Sequence, residues 1–291
     1  MGTKPARAPK KIRKHKSFQE LARFLTKLEQ LDPASLRQLY TNQNESPTLL
    51  RLGITGPPGA GKSTLISGLI HYFRENNKKV GVIAVDPSSP FTKGSILGDR
   101  IRYQDHSTDA SVFVRSVSSR GALGGLSSSV YLLSRAFSQM DFDVLLIETV
   151  GVGQTELEVM NVADSVAVVV VPEFGDSIQA LKAGILEIAD VFVVNKSDRP
   201  GSEAMAKELE LWARDSDSKK AVIPTVATEQ EGVKELAEAL VLVAQQKLGD
   251  TSLVAHRLQA EAATILRMRA EQKIQVKVKA IHQLKDLLKI V

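Results

Sequence analysis

The 291-residue chain contains no cysteine. Disulfides and thiolate metal sites are therefore excluded. Tryptophan occurs once and methionine five times, too few for a Met-rich binding groove. The five histidines, His15, His71, His106, His256 and His282, are scattered, so no His-rich metal site is expected either. No apolar run approaches the roughly 20 residues that span a bilayer. The opening stretch, "MGTKPARAPKKIRKHKS", has no apolar core and does not read as a secretory signal. Pro5, Pro9 and scarce serine also make it a poor mitochondrial presequence. A cytoplasmic location is the expectation.

The formal net charge of +5 is unevenly distributed. Residues 1–16 hold seven Lys or Arg and no acid, leaving 31 basic against 33 acidic residues elsewhere. The basicity is a tail, read as a solvated, disordered segment and not as a nucleic-acid groove. Weak binding to RNA or a membrane surface is the alternative for this tail.

Hydrophobic residues make up 43%, enough for a sizeable core. Phe18, Leu21, Phe24, Leu25 and Leu28 recur at helical spacing, and Ser17 with Glu20 forms a capping-box pattern. A polar linker, "TNQNESPT", follows. From residue 49, short apolar runs alternate with helical segments: "LLRLGIT", "VGVIAV", "ASVFVRSV", "FDVLLIET", "SVAVVVVP", "VFVVNK" and "AVIPTVA". Such continuously apolar runs suit strands covered on both faces. Helices between them imply right-handed crossovers and a mainly parallel sheet. The expected organisation is a basic tail over 1–16, an N-terminal helical extension over 17–48, an α/β nucleotide-binding domain over 49–250 and a C-terminal helical arm over 251–291.

"LGITGPPGAGKSTLI" has the spacing G-x-x-x-x-G-K-[ST] between an apolar strand and a helix. Gly56, Pro57, Pro58, Gly59, Ala60 and Gly61 form a loop whose backbone N–H groups can curl around phosphate. Lys62 reaches the β- and γ-phosphates, and the Ser63 hydroxyl binds Mg²⁺, with Thr64 next in the helix. An ordinary Gly-rich turn has no need of Lys62 followed by Ser63.

"VFVVNKSD" ends a buried run with Asn195, Lys196 and Asp198. A carboxylate at Asp198 can accept hydrogen bonds from both donors of guanine, a pair that adenine lacks. The Lys196 stem can cover the base, and Asn195 can tie this loop to the phosphate loop. In "TVATEQEGV", Ala227 falls where G proteins place a backbone contact to the base.

"FDVLLIETVGVGQTE" places Glu148 at a strand end, in position to hold Mg²⁺ through water. Gly151 can bring its N–H to the γ-phosphate, and Gln154 can orient a water. Asp86 ends another strand, expected beside the phosphate-loop strand, and Asp99 returns in "LGDR". Asp86, Asp99 and Glu148 can then meet around one Mg²⁺. Asp86 ahead of Pro87 can also be read as a turn cap.

Together, "GPPGAGKSTL", "AVDPSSP", "GSILGDR", "RSVSSRGALGGLS", "LLIETVGVGQTE", "FGDSIQALKAGILEIADVFVVNKSD" and "TVATEQEGV" closely resemble the MeaB/ArgK-type GTPases, the family of the methylmalonic aciduria type A protein. The resemblance covers about residues 17–250, and its specific motifs fall within 52–198. It implies a SIMIBI-type P-loop fold and a slow GTPase that binds GTP and GDP with Mg²⁺. It also implies a chaperone of an adenosylcobalamin-dependent acyl-CoA mutase, gating cofactor loading and protecting the mutase. Adenosylcobalamin enters only through that partner. On the same footing, residues 86–100 become a nucleotide-sensing switch, and Asp176, Gln179 and Lys182 link the nucleotide to the mutase. Without the resemblance, Asp176 is equally a helix cap.

The tract 251–291 is not a close match to the family. Leu258, Ile265, Ile274, Ile281, Leu284 and Leu288 are expected to line one apolar stripe that supports a homodimer, the alternative being packing on the chain's own domain. The rival functions are a P-loop kinase linked to amino-acid transport and a metal-delivery GTPase.

Overall fold

The structure is a computed structural model and describes residues 18–41, 48–86, 103–106, 108–118, 128–149, 158–172, 183–215 and 220–279. It contains two compact units, Met1–Gly249 and Asp250–Val291.

In the first unit, helices α1 (Phe18–Glu29) and α2 (Pro33–Thr41) precede an α/β domain. Its strands are β1 (Leu50–Thr55), β2 (Val80–Asp86), β3 (Val112–Ser118), β4 (Val144–Glu148), β5 (Ser165–Val170), β6 (Val191–Asn195) and β7 (Ala221–Thr225). Each corresponds to one of the seven apolar runs. Between them lie α3 (Lys62–Glu75), α4 (Ser128–Ser138), α5 (Ala183–Ile188), α6 (Ser202–Asp215) and α7 (Val233–Lys247). All ladder pairs are parallel, in the order β3-β2-β4-β1-β5-β6-β7. Every residue of β1, β4, β5 and β6 is buried, as expected where helices cover both faces of a sheet.

The strand order corrects one expectation. β2 does not border the phosphate-loop strand β1; β4 lies between them. Ala84 is level with Glu148, so Asp86 stands two residues beyond the end of β4. The chain goes out to β2 and β3 and returns to insert β4 beside β1.

α1 packs against α4 and reaches Phe113 and Arg115 of β3. Its Leu21, Phe24, Leu25 and Leu28 are buried, as their spacing requires. Arg115 of β3 makes a forked pair with Glu29 at 2.9 and 2.8 Å. Phe18, Phe113, Phe137 and Phe142 form a chain of ring contacts with centroids 5.2, 6.0 and 5.0 Å apart. Phe137 packs so tightly on β2 that a Cβ at Gly81 would sit 2.6 Å from its ring. At the centre, Arg51 and Asp164 exchange backbone and side-chain bonds: Arg51 N donates to Asp164 Oδ2 at 2.8 Å, and Asp164 N to Arg51 O at 2.7 Å. The Arg51 guanidinium also reaches Ser134 of α4 at 3.1 Å.

The second unit begins with α8 (Thr251–Lys279), one continuous helix. It corrects the single-stripe expectation. Leu258 and Ile265 share a face, but Ile274, nine residues beyond Ile265, falls about 180° around the helix. Leu253, Val254, Leu258, Leu266 and Ile274 are all exposed in the monomer. Ile281, Leu284 and Leu288 lie outside the described residues, as do the basic tail and Ser17.

Candidate nucleotide site

β1 leads directly into the loop 56–61, and α3 leaves it. Both glycines at its ends are required by backbone shape. Gly56 has φ +142°, and a Cβ there would lie 2.2 Å from the Val169 carbonyl oxygen of β5. Gly61 has φ +84°, and a Cβ would lie 2.3 Å from Asn195 Nδ2. Gly59, at φ +78°, faces open space. The loop is closed by Ala60 N donating to Pro57 O at 3.3 Å. Ala60 is buried, Pro57 is half-buried and Pro58 is exposed. Lys62 folds back over this loop, and its Nζ donates to Gly56 O at 2.8 Å and Pro57 O at 2.9 Å. Neutral carbonyls solvate the ammonium here without cancelling its charge.

The base motif closes on the same loop. Asn195 is 2% exposed and uses both ends of its amide. Nδ2 donates to Ala60 O at 2.8 Å, while Oδ1 accepts from Thr225 Oγ1 at 3.0 Å and Ala227 N at 3.2 Å. The Ala227 N–H thus holds the Asn195 amide, where the sequence suggested a contact to the base. Lys196 is half-buried in a left-handed conformation, φ +57°, and starts a turn closed by Arg199 N donating to Lys196 O at 3.0 Å. Asp198 in this turn is exposed.

On the other side, Glu148 ends β4 level with Ile54 of β1. It is 5% exposed, and both its carboxylate oxygens are engaged. Ser63 Oγ donates to Oε1 at 2.8 Å, and Tyr103 Oη donates to Oε2 at 2.7 Å. A buried bond from Thr149 Oγ1 to Thr55 Oγ1, 2.8 Å, keeps the ends of β4 and β1 together. Thr64 is exposed on the first turn of α3.

The structure therefore brings together Gly56 to Ser63, Glu148, Asn195 and Ala227. Asp99, Gly151, Gln154, Asp176, Gln179 and Lys182 lie outside the described residues. Asp86 is described only as the last residue of β2, paired with Ser118. Tyr103 and the role of Thr225 escaped the sequence reading. Tyr103 falls in no spacing motif, Thr225 opens the "TVATEQEGV" stretch without being singled out, and only the packing brings them to Glu148 and Asn195.

A hydroxyl and a carboxylate in contact form an all-oxygen donor pair, which suits a hard cation such as Mg²⁺. Among the described residues no group of three or more His, Asp or Glu side chains is placed to hold a metal ion, so Ser63 and Glu148 are the donors on view. The open backbone at Gly59 and the curl of the loop fit a phosphate chain.

Fold and loop define a P-loop NTPase with a fully parallel, helix-covered sheet. The chain belongs to the MeaB family, described as methylmalonyl Co-A mutase-associated GTPase MeaB, which matches residues 21–283 and so, against the sequence expectation, takes in most of the C-terminal tract. It is 51% identical over 193 residues to a protein of Pyrococcus abyssi, covering 64% of this chain and 59% of that one. It is 39% identical over 200 residues to GTPase ArgK of Escherichia coli, covering 66% and 60%. To the mitochondrial methylmalonic aciduria type A homolog of Mus musculus it is 35% identical over 251 residues, covering 84% and 60%. The matched region thus spans about three fifths of the length of these curated relatives. Among solved structures, the crystal structure of LAO/AO transport system kinase matches 91% of this chain and 87% of its own, with TM-score 0.59 and 26% identity. HypB from Helicobacter pylori, in complex with nickel, shares the fold at TM-score 0.51 and 16% identity, covering 76% of this chain and 96% of its own.

Proposed function

We propose that this chain binds GTP and GDP with Mg²⁺, hydrolyses GTP slowly, and serves as the G-protein chaperone of an adenosylcobalamin-dependent acyl-CoA mutase. The observation that carries the nucleotide reading is the brace from Asn195 to Ala60, which joins a base-recognition turn to a phosphate loop. Family membership supports the mutase partner. Cobalamin would enter only through that partner, and a homodimer and a cytoplasmic location belong to the same reading.

In the mechanism this implies, loop N–H groups and Lys62 carry the phosphate charge. Ser63 and Glu148 would hold Mg²⁺, with Asp86 and Asp99 completing the set and Gly151 near the γ-phosphate. Bound there, Mg²⁺ supplies charge neutralisation on the β- and γ-phosphates. Asp198 accepts from the guanine donors while Lys196 covers the ring. Gln154 orients the attacking water. Turnover is expected to be slow until a partner completes the charge around the γ-phosphate. The segment containing Asp176, Gln179 and Lys182 would report the nucleotide state to the mutase.

Calorimetry with GTP, GDP and ATP, followed by hydrolysis assays with and without candidate acyl-CoA mutases, tests this. The expected result is guanine preference, loss of turnover in Lys62→Ala and Ser63→Ala, and stimulation by one mutase. Equal ATP and GTP affinity would overturn the base assignment. With γ-labelled nucleotide, label released as inorganic phosphate supports hydrolysis, and label retained on a protein or small molecule supports the kinase reading instead.

A further inference from the structure

Glu148 is a long side chain doing a positional task. Its last torsion joins an sp³ to an sp² carbon and has no sharp staggered wells. A glutamate there keeps one orientation only if its oxygens are held from outside. Here each oxygen has its own donor, from two different elements: Ser63 of α3 and Tyr103, just ahead of a short 3₁₀ turn at Gln104–His106. Tyr103 is 3% exposed and packs in the same core cluster as Leu65, Ile66 and Leu69 of α3. Its ring cannot leave Glu148 without opening that core.

The segment that carries Tyr103 is itself fastened to α3. Ser67 Oγ lies 2.9 Å from His106 Nε2, and Arg74 Nε donates to Asp109 Oδ2 at 2.7 Å. Ser63, Ser67 and Arg74 fall within about 40° of one another around α3 at 3.6 residues per turn. Tyr103, His106 and Asp109 are therefore attached along one face of the phosphate-loop helix, with Tyr103 at the end nearest the loop.

We propose that Tyr103 is a positioning residue that fixes the Glu148 carboxylate for Mg²⁺, so that a single phenol hydroxyl sets the affinity of the site for the ion. This rests on the reading that Glu148 holds Mg²⁺. An ionised carboxylate offers about four acceptor sites. With one site on each oxygen occupied by Ser63 and Tyr103, the remaining ones point in a set direction. Removing the phenol hydroxyl frees the torsion and withdraws a donor from a buried charge, an effect of roughly tenfold on binding.

The test uses Tyr103→Phe, which keeps the ring and its packing. A fluorescent GDP analogue is bound to the full chain, and its retention is followed as Mg²⁺ is titrated. Its affinity is measured separately in EDTA. In Tyr103→Phe the Mg²⁺ midpoint should rise roughly tenfold, with EDTA affinity within about twofold of wild type. In a Glu148→Ala background the same tyrosine change should do nothing further, since the cycle isolates the pair. If Glu148→Ala leaves the midpoint unchanged, the metal reading itself fails. If Glu148→Ala raises it and Tyr103→Phe does not, only the positioning role is overturned. An equal shift from Tyr103→Phe in both backgrounds marks a general structural effect and also overturns it.

Discussion

The side-chain amide of Asn195 reaches from the end of β6 to the phosphate loop and donates a 2.8 Å hydrogen bond to the carbonyl of Ala60. Because Thr225 and Ala227 hold the other end of that amide, three segments distant in sequence meet at one residue. Asn195→Ala removes all three bonds and leaves buried partners unmatched. At about 1 kcal/mol for each net bond, the expected loss of stability is about 2–3 kcal/mol. GDP affinity should fall with it. Denaturant unfolding and a GDP titration check this, and wild-type values for both would show that the brace is dispensable.

The two left-handed glycines of the loop should respond differently to alanine. At Gly61 the new methyl group would lie 2.3 Å from Asn195 Nδ2 and must displace the brace. At Gly59 it meets nothing within 4 Å, so only the backbone cost of about 1–2 kcal/mol applies. In nucleotide-free protein, Gly61→Ala should therefore melt well below Gly59→Ala. Equal melting temperatures would contradict the close approach.

Asp198→Asn should shift the base preference toward xanthine nucleotides. The amide can donate where xanthine presents an acceptor in place of guanine's amine. Competition between GDP and XDP measures it; unchanged GDP preference would remove Asp198 from base recognition.

His106 introduces a pH dependence with a definite sign. Burial lowers its pKa below the ordinary value, against the opposing pull of Asp105, the Ser67 bond and Asp109, and with His71 adding to the lowering. The unfolded chain thus binds this proton more readily than the folded one. The stability that His106 contributes is present above about pH 6.5 and is lost as pH falls from there toward the lowered value. His106→Gln should lose less stability than wild type between pH 7.5 and 5.5. Parallel thermal unfolding curves at the two pH values would show that His106 does not titrate in this way.

Much of the architecture was legible in the chain. The seven apolar runs became seven strands because buried parallel strands demand continuous apolar sequence. The Gly56-to-Ser63 spacing and the Asn195 turn were legible for a similar reason: each is a short local pattern whose backbone shape and chemistry depend on neighbouring residues. The apolar stripe expected along the C-terminal tract was misjudged because helical phase accumulates over many residues. Seven positions separate Leu258 from Ile265, but nine separate Ile265 from Ile274 and carry it to the opposite side.

The sequence by itself determined the strand set, the covered parallel sheet and the loop that would cradle phosphate, since these follow from local composition and spacing. Only the tertiary structure decided which strand lies beside β1, and hence that Glu148 is adjacent to the phosphate-loop strand while Asp86 is one strand further away. It alone brought Tyr103 to Glu148 and Thr225 to Asn195. Strand order depends on how whole crossover units pack, and a buried carboxylate or amide takes its partners from whatever that packing brings within hydrogen-bond reach. No spacing along the chain encodes either.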